Sequence, residues 1–297
     1  MTYDETASTL TLADGRELDL RRRGPSGGDV LVYIHGTPSS AAAPSALAEA
    51  AHARGLQLVS WSRPGYSTST RQPGRSIASF ATDAREVLDR LGIDRVHALG
   101  WSGGGPHVLS LAALLPDRIR SATSLAGVAP YAETSGELEF LAGMGRDNIE
   151  EFGAAVEGEE PLRQFLAPFV PALRVVTPAG IVEELASLLP DVDRAYCTDE
   201  HGGELAQAFH EALVVSEDGW VDDDLAFVRP WGFDLASIRV PVHVWQGSAD
   251  LMVPFAHGVW LASAVPGAVA HLLDGDGHLS IAVGQAEAIV DALLASG

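Results

Sequence analysis

Short runs of apolar residues recur along the chain and predict the buried strands of a largely parallel sheet. These runs occupy residues 30–34, 56–61, 96–99, 121–126, 240–246 and 268–273. Residues 8–12 and 17–21 instead alternate apolar and polar side chains around an Asp14-Gly15 turn, which predicts an antiparallel hairpin at the edge of the same sheet. The pattern therefore indicates an α/β fold with a mostly parallel, eight-stranded sheet.

Helical segments separate most of the predicted strands. Residues 77–91 place apolar side chains three and four positions apart, which is the spacing of an amphipathic helix packed on a sheet. Residues 41–54, 108–115 and 281–294 are also predicted to be helices. We therefore expect helices to flank the sheet.

Residues 131–231 follow a different pattern, with helical segments separated by polar loops and no convincing strand. The predicted helices are residues 136–144, 149–156, 161–169, 180–189 and 203–214. The pattern predicts an all-helical insertion at 131–231 between two core segments, 1–130 and 232–297. The acidic run at 217–224 lacks the Glu at position twelve of a calcium-binding EF-hand loop, so we predict a solvated junction between insertion and core.

Composition and charge narrow the classes of partner. The 297 residues carry a formal net charge of −21, which argues against nucleic acid or an anionic membrane surface as partner. No lysine is present, so Schiff-base chemistry and a pyridoxal phosphate anchor are excluded. The single cysteine, Cys197, allows no intramolecular disulfide and is predicted to be structural. We expect a soluble cytoplasmic protein, monomeric or homodimeric, with a small-molecule substrate and without metal or cofactor.

Ser102 lies where the predicted strand at 96–99 passes into the predicted helix at 108–115. Gly100 precedes it by two positions, and Gly103 and Gly104 follow it. A nucleophilic serine at such a sharp corner needs small flanking residues, because larger side chains would collide and the backbone is strained. Ser102 is therefore the candidate nucleophile.

Three motifs together resemble the α/β-hydrolase superfamily over most of the chain outside 131–231. They are Gly-Trp-Ser-Gly-Gly at 100–104, His-Gly-Thr-Pro at 35–38 and Ser-Arg-Pro-Gly-Tyr-Ser at 62–67. The resemblance implies that the backbone N–H groups of Thr37 and Gly103 form an oxyanion hole, and that residues 131–231 form a cap over the nucleophile. Ser62 replaces the usual Asp of the third motif, which puts an ion pair between that position and Arg63 in doubt.

The acid and base that a serine nucleophile needs are expected after the last two predicted strands. Asp250 follows the strand at 240–246, and His278 follows the strand at 268–273 in a glycine-rich loop. The order Ser102, Asp250, His278 matches that of the α/β hydrolases. Asp274 and Asp276 are rivals for the acid, but both adjoin His278 too closely in sequence to reach its far ring nitrogen easily.

These residues predict a serine hydrolase that cleaves small carboxylic esters through an acyl-enzyme. Trp101, Met252 and Phe255 are candidates for a hydrophobic substrate pocket, whereas His35 and His107 are predicted to be structural. A serine at the elbow argues against the branches that form an alkyl-enzyme on a carboxylate. A proline-type aminopeptidase and a C-C bond hydrolase remain alternatives on the same triad, and a catalytically slow receptor or scaffold with this fold is an alternative of another class.

Overall fold

The structure is a computed structural model and describes residues 5–132, 137–197 and 199–297. One eight-stranded sheet runs through the molecule, with the strands in the order β1-β2-β4-β3-β5-β6-β7-β8. The strands are β1 Glu5–Thr11, β2 Glu17–Arg23, β3 Val30–Ile34, β4 Gln57–Trp61, β5 Val96–Trp101, β6 Ile119–Leu125, β7 Val242–Gly247 and β8 Val269–Leu273. Neighbours from β4 through β8 pair in parallel, whereas β1, β2 and β4 pair antiparallel. The predicted sheet and hairpin are confirmed.

Six helices cover the two faces of the sheet. On one face α2 (Ser79–Leu91), α3 (Gly104–Leu114) and α11 (Phe255–Ala264) contribute to one apolar cluster. On the other face lie α1 (Ser45–Ala53), α12 (His278–Gly284) and α13 (Ala286–Ala295). These clusters bury most of the β-branched and leucine side chains that the apolar runs supply, and burial of apolar surface is the main favourable contribution to folding.

Two of the predicted flanking helices differ in detail. Helix α1 begins at Ser45 rather than at residue 41, because proline at 44 disfavours helical geometry in the residue before it. The predicted helix at 281–294 is two helices, α12 and α13, which meet at an angle of 67°. Helix α12 begins at His278, three residues before the predicted start. No single helix in the described part of the chain is long and apolar enough to cross a membrane, although the bent pair passes by length and composition alone.

Among the residues that the structure describes, seven α-helices lie between β6 and β7 and are called the helical insertion below. They are α4 Arg146–Glu157, α5 Glu159–Leu166, α6 Phe169–Leu173, α7 Ile181–Glu184, α8 Asp191–Arg194, α9 Asp199–Ala212 and α10 Asp218–Phe227. The predicted helix at 136–144 is wrong for residues 137–144, which form turns, with Gly143 at a φ of +90° that a helix does not accommodate. Residue 136 lies outside the described residues.

The acidic run at 217–224 is not a solvated junction, contrary to the prediction. Most of it forms the start of α10, whose residues from 219 to 227 are all buried. Burial of carboxylates requires partners. Arg71 pairs with Asp222 at 2.9 Å, and Arg75 pairs with Asp223 at 2.5 Å. These arginines lie in the loop after β4, so α10 is held against the core by ion pairs that the sequence pattern does not reveal.

Candidate active site

Ser102 lies directly after β5, at the corner where the chain turns into α3. Its φ is +55°, an uncommon backbone conformation for a residue with a side chain, and its N–H donates to the carbonyl of Leu125 at 2.8 Å. A methyl group at Gly100 would lie 2.1 Å from the carbonyl oxygen of Gly104, and one at Gly104 would lie 2.2 Å from that of Ile34. Only glycine fits at these two positions. The structure therefore has the sharp serine turn that the motif predicts.

The turn after β3 packs directly against this corner. A methyl group at Gly36 would lie 3.3 Å from Ser102 Cβ and 3.8 Å from Ser102 Oγ. A methyl group at Gly103 would lie 2.2 Å from Thr37 Oγ1. The two segments that were predicted to supply oxyanion donors, at Thr37 and Gly103, are therefore in contact beside Ser102.

We expect Gly36→Ala to lower kcat/KM for ester hydrolysis by about tenfold, because the new methyl group would lie 3.3 Å from Ser102 Cβ and would force the turn and the serine apart by a few tenths of an ångström. The matched control is Gly153→Ala in α4, where a methyl group would contact nothing. That variant should keep full activity and gain about 0.5 to 1 kcal/mol in free energy of unfolding. Steady-state kinetics with a p-nitrophenyl ester measures the difference, and equal activity of the two variants would contradict the prediction.

Asp250 and His278 meet where β7 and β8 end. His278 Nδ1 lies 2.8 Å from Asp250 Oδ2, and both side chains are buried. Asp250 Oδ1 accepts the backbone N–H groups of Met252 and Val253, each at 2.8 Å. Gln246 Nε2 donates to Asp250 Oδ2 at 2.9 Å. The carboxylate is thus fixed by four donors, and the arrangement holds His278 with its Nδ1 protonated and its Nε2 available as a base.

The two rival carboxylates point elsewhere. Asp274 accepts a hydrogen bond from the Ser248 hydroxyl at 2.9 Å and lies at the surface. Asp276 accepts one from Gln285 Nε2 at 3.2 Å. Neither contacts the ring of His278, so the structure brings Asp250, and not its rivals, to the histidine.

Trp101 connects the serine corner to the histidine. Its ring stacks on the ring of His278 with centroids 5.6 Å apart, and Ser102 is the next residue in the chain. In the described part of the chain, no hydrogen bond joins Ser102 Oγ to His278 Nε2. Catalytic hydrogen bonds of this kind often tighten only when substrate is bound.

A cavity of about 120 Å³ opens on Ser102, Thr37 and Gly103. Met252 lines it, as predicted for a pocket residue. The structure places the other two predicted pocket residues outside it. Trp101 lines a second cavity of about 410 Å³ beside α9, and Phe255 lies on an open depression near the surface. Among residues 5–132, 137–197 and 199–297, no group of three or more His, Cys, Asp or Glu side chains could hold a metal ion.

Residues 29–152 match the family model for the alpha/beta hydrolase fold. This match covers β3 through β6 and ends within α4. The chain has the alpha/beta hydrolase fold.

Two sequence relatives and one solved structure share about a quarter of their residues with this chain. An uncharacterized hydrolase of Bacillus subtilis strain 168 is 24% identical over 229 residues, which is 76% of each chain. A 2-hydroxy-6-oxononadienedioate/2-hydroxy-6-oxononatrienedioate hydrolase of Pseudomonas putida is 25% identical over 85% of this chain and 82% of its own. A solved alpha/beta hydrolase fold protein from Nakamurella multipartita is 26% identical, with a TM-score of 0.65 over 98% of this chain and all of that one.

Asp193 is a site residue that the sequence analysis missed. It belongs to α8 in the helical insertion and is completely buried. Its carboxylate accepts the backbone N–H groups of His278, Leu279 and Ser280, at 2.7, 3.1 and 2.8 Å. It therefore caps helix α12 at the residue that carries the candidate base, where an anion is also favoured by the helix dipole. No sequence signal links two positions 85 residues apart, so only the structure finds it.

Burial favours the neutral form of His278 and by itself would lower its pKa. Asp250 opposes this effect through its negative charge and its hydrogen bond to His278, and Asp193 adds a second negative charge. Together they raise the pKa of the histidine above its ordinary value of 6.5. The base must be neutral to accept a proton. Activity governed by His278 should therefore rise with pH through a midpoint above 6.5 and level off at higher pH. A kcat/KM profile for ester hydrolysis between pH 5 and 9 measures this midpoint. A midpoint well below 6.5 would contradict the prediction.

Arg63 has an ion-pair partner, although Ser62 replaces the usual aspartate beside it. The partner is Asp223 in α10, with Arg63 Nη2 lying 2.5 Å from Asp223 Oδ2. The same carboxylate accepts hydrogen bonds from the hydroxyls of Tyr66 and Thr37, each at 2.7 Å. Burial alone would raise the pKa of Asp223, but the charges of Arg63 and Arg75 hold it well below its ordinary value.

This buried network holds the turn that contains Thr37. Arg63 donates to the backbone carbonyls of His35 and Gly36, the second at 2.9 Å. His35 Nδ1 donates to the Gly36 carbonyl at 2.8 Å, and its Nε2 accepts the N–H of Arg63 at 2.9 Å. His35 is therefore structural in this arrangement, as predicted. A carboxylate from the helical insertion thus stabilises the turn beside Ser102.

His107 is also placed as a structural residue. It is buried in α3 beneath the serine corner, and its Nδ1 donates to the carbonyl of Gly103 at 2.8 Å. Burial and the positive charge of Arg63 lower the pKa of His107 to about 3, so the ring is neutral at physiological pH. The ring of His107 makes edge-on contacts with the rings of Phe80 and Phe227.

Proposed function

We propose that this alpha/beta-hydrolase-fold protein is a serine hydrolase that cleaves small carboxylic esters through an acyl-enzyme. The observation that carries the proposal is the sharp turn at Ser102, which packs against Gly36 and directly follows Trp101, the residue whose ring stacks on the histidine of the buried Asp250–His278 pair. These are the parts that activate a hydroxyl and stabilise an oxyanion. The hydrolase relatives support the same reaction class.

The proposed reaction has two acyl-transfer steps. His278 Nε2 accepts the proton of Ser102 Oγ while the oxygen attacks the ester carbonyl, and the backbone N–H groups of Thr37 and Gly103 hold the resulting oxyanion. The C–O bond to the alcohol then breaks, and the alcohol leaves with the proton from His278. A water molecule gives its proton to His278 and attacks the acyl-enzyme, which releases the acid and restores Ser102. Each oxyanion donor is expected to lower the barrier by about 3 kcal/mol.

We also propose that residues 131–231 act as a cap that completes the site. Two contacts support this role: Asp193 holds the backbone at His278, and Asp223 holds Arg63 and Thr37. Most residues that line the cavity at Ser102 also come from this segment. The cap would therefore shape the pocket and position the residues that act in it.

The character of the cavity favours an apolar ester over an acidic substrate. Its aliphatic and aromatic lining suits a hydrophobic acyl or alcohol group, and Met252 contributes to it. The Pseudomonas putida relative is named for a dioate, which carries two carboxylates. In the part of this chain that the structure describes, the charged residues that line the cavity are all acidic, namely Asp147, Glu151, Glu184 and Asp224. Such a lining repels a dianion, which makes that relative's substrate a poor fit.

Ester turnover tests the proposal against the non-enzymatic alternative. We expect the wild type to hydrolyse p-nitrophenyl acetate, butyrate and octanoate with continuous turnover, and the His278→Ala variant to lose that turnover. A receptor or scaffold that retains the fold would release at most one equivalent of p-nitrophenol and then stop. Burst-only kinetics in the wild type would therefore overturn the proposed hydrolase. A substrate panel that also contains aminoacyl amides and lactones would then show which type of bond the enzyme cleaves.

A further inference from the structure

Two carboxyl groups that the proposed mechanism does not use face each other in the cavity beside Ser102. Glu151 comes from α4 and Asp224 from α10, and both line the cavity that also contains Ser102, Thr37 and Gly103. Their side chains lie within hydrogen-bonding reach of each other. Trp220 Nε1 donates to Glu151 Oε1 at 2.5 Å, which fixes the orientation of that carboxyl group.

Beyond its contact with Glu151, Asp224 has one carboxyl oxygen that no donor of the described residues reaches. Its side chain is 2% exposed, and no donor from the described residues hydrogen-bonds to Oδ2. The nearby arginines, Arg63 and Arg75, are already paired with Asp223, the preceding residue. An unmet acceptor in a buried site costs free energy, so its presence in a substrate cavity points to a donor that arrives with the ligand.

The pair is compatible with a shared proton when the cavity is empty. Burial raises the pKa of both Glu151 and Asp224, and the charge of Glu151 raises the pKa of Asp224 further. Two adjacent carboxyl groups repel each other when both are ionised. A cation that enters between them offsets this repulsion and favours ionisation of both. A cationic ligand is therefore favoured over a neutral one, and an anionic ligand is disfavoured.

The rest of the lining suits the same kind of ligand. Among the described residues, the cavity lining has no Arg or His. Six aromatic residues line the same cavity as the carboxyl groups: Phe152, Phe165, Phe169, Phe209, Phe227 and Trp220. Aromatic faces attract cations through their quadrupoles, and they pack well against the apolar carbon atoms next to an amine.

We propose that the cavity selects esters that carry a protonated amine, and that Glu151 and Asp224 bind the ammonium group. This inference rests on the proposed function for the identity of the bond that is cleaved, but the binding of the ammonium group does not depend on catalysis. In the bound state the amine N–H groups would donate to Asp224 Oδ2 and to Glu151, while the ester carbonyl would lie at Ser102. The two carboxyl groups are thus specificity-determining residues.

Binding to the Ser102→Ala variant tests the inference without turnover. The probes are phenethylamine, 2-phenylethanol and phenylacetate, which share one carbon skeleton and carry a positive, a neutral and a negative end group. Titration calorimetry at neutral pH and about 0.15 M salt, where weak surface attraction is screened, gives their dissociation constants. We expect the amine to bind about tenfold or more tightly than the alcohol, and the acid to bind least.

Two substitutions and a matched control connect the preference to the pair. Glu151→Gln and Asp224→Asn should each reduce the amine preference over the alcohol, and the double variant should abolish it. Glu157→Gln removes the same charge from an exposed position of the same helix and should leave the preference intact. Equal binding of amine and alcohol to the Ser102→Ala protein would overturn the inference, as would a preference that survives in a folded double variant. A failure of ester turnover in the wild type would instead reject the proposed function and leave the binding result standing.

Discussion

Asp250→Asn should lower kcat for a p-nitrophenyl ester by about 10⁴-fold while leaving the fold intact. The carboxylate accepts from His278 Nδ1 and from Gln246 Nε2 on one oxygen. In the variant the backbone N–H groups of Met252 and Val253 still need an acceptor at the Oδ1 position, so the amide oxygen stays there and the N–H₂ group faces His278. The histidine then loses the acceptor that keeps its Nε2 unprotonated. Stopped-flow or steady-state hydrolysis assays measure the loss.

The control is Asp274→Asn, which makes the same chemical change at a carboxylate that contacts Ser248 rather than His278. It should keep kcat within about twofold of wild type, because surface substitutions away from such sites have small effects. A large loss in Asp274→Asn together with near-normal activity in Asp250→Asn would show that the acid had been assigned to the wrong residue.

Asp193→Asn should lower kcat by about 10²-fold, although Asp193 does not contact the reacting atoms. The variant loses an anion that accepts three N–H groups at the start of α12, so the backbone at His278 shifts. It also loses a negative charge that raises the pKa of His278, and the acidic midpoint of the pH profile should therefore move to lower pH. The two readouts together identify a positioning residue, because loss of folded protein alone would not move the midpoint.

Asp191→Asn is the matched control for this prediction, since it lies on the same short helix and is exposed. We expect an unchanged pH profile and unchanged kcat. If Asp193→Asn lowers only the amount of folded protein, and its remaining activity shows the wild-type midpoint, then Asp193 acts on stability and not on the histidine.

Local sequence patterns predicted the parts of the site that local geometry determines. The corner at Ser102 needs glycine at 100 and 104 because backbone atoms approach within 2.2 Å of where a side chain would be. The two glycines therefore indicate the corner from the sequence alone. The strands that present Asp250 and His278 are apolar runs with clear ends, so their order and their meeting at one edge of the sheet could also be predicted.

Contacts between the core and the insertion could not be predicted in the same way. Asp193 and Asp223 are single carboxylates in acidic segments, and their partners, His278 and Arg63, are 85 and 160 residues away. The run at 217–224 was predicted to be solvated because consecutive acidic residues usually are. Here arginines from the core side neutralise two of the three buried aspartates, and that compensation depends on tertiary structure alone.

Phe255 and Trp101 illustrate a second limit. Both are large apolar residues close in sequence to candidate catalytic residues, which made them candidates for the substrate pocket. The direction of each side chain places it on a different cavity from Ser102. Sequence distance to a catalytic residue thus did not determine which cavity a side chain enters, whereas Met252 does line the cavity at Ser102.

The most direct test of the account is intact-mass analysis after treatment with a fluorophosphonate, which reacts with an activated serine and mimics the acylation step. We predict one covalent adduct on the wild type, mapped to Ser102 by peptide analysis, and none on a folded Ser102→Ala variant. An unmodified wild type, or an adduct that persists in Ser102→Ala, would contradict the claim that Ser102 is the nucleophile.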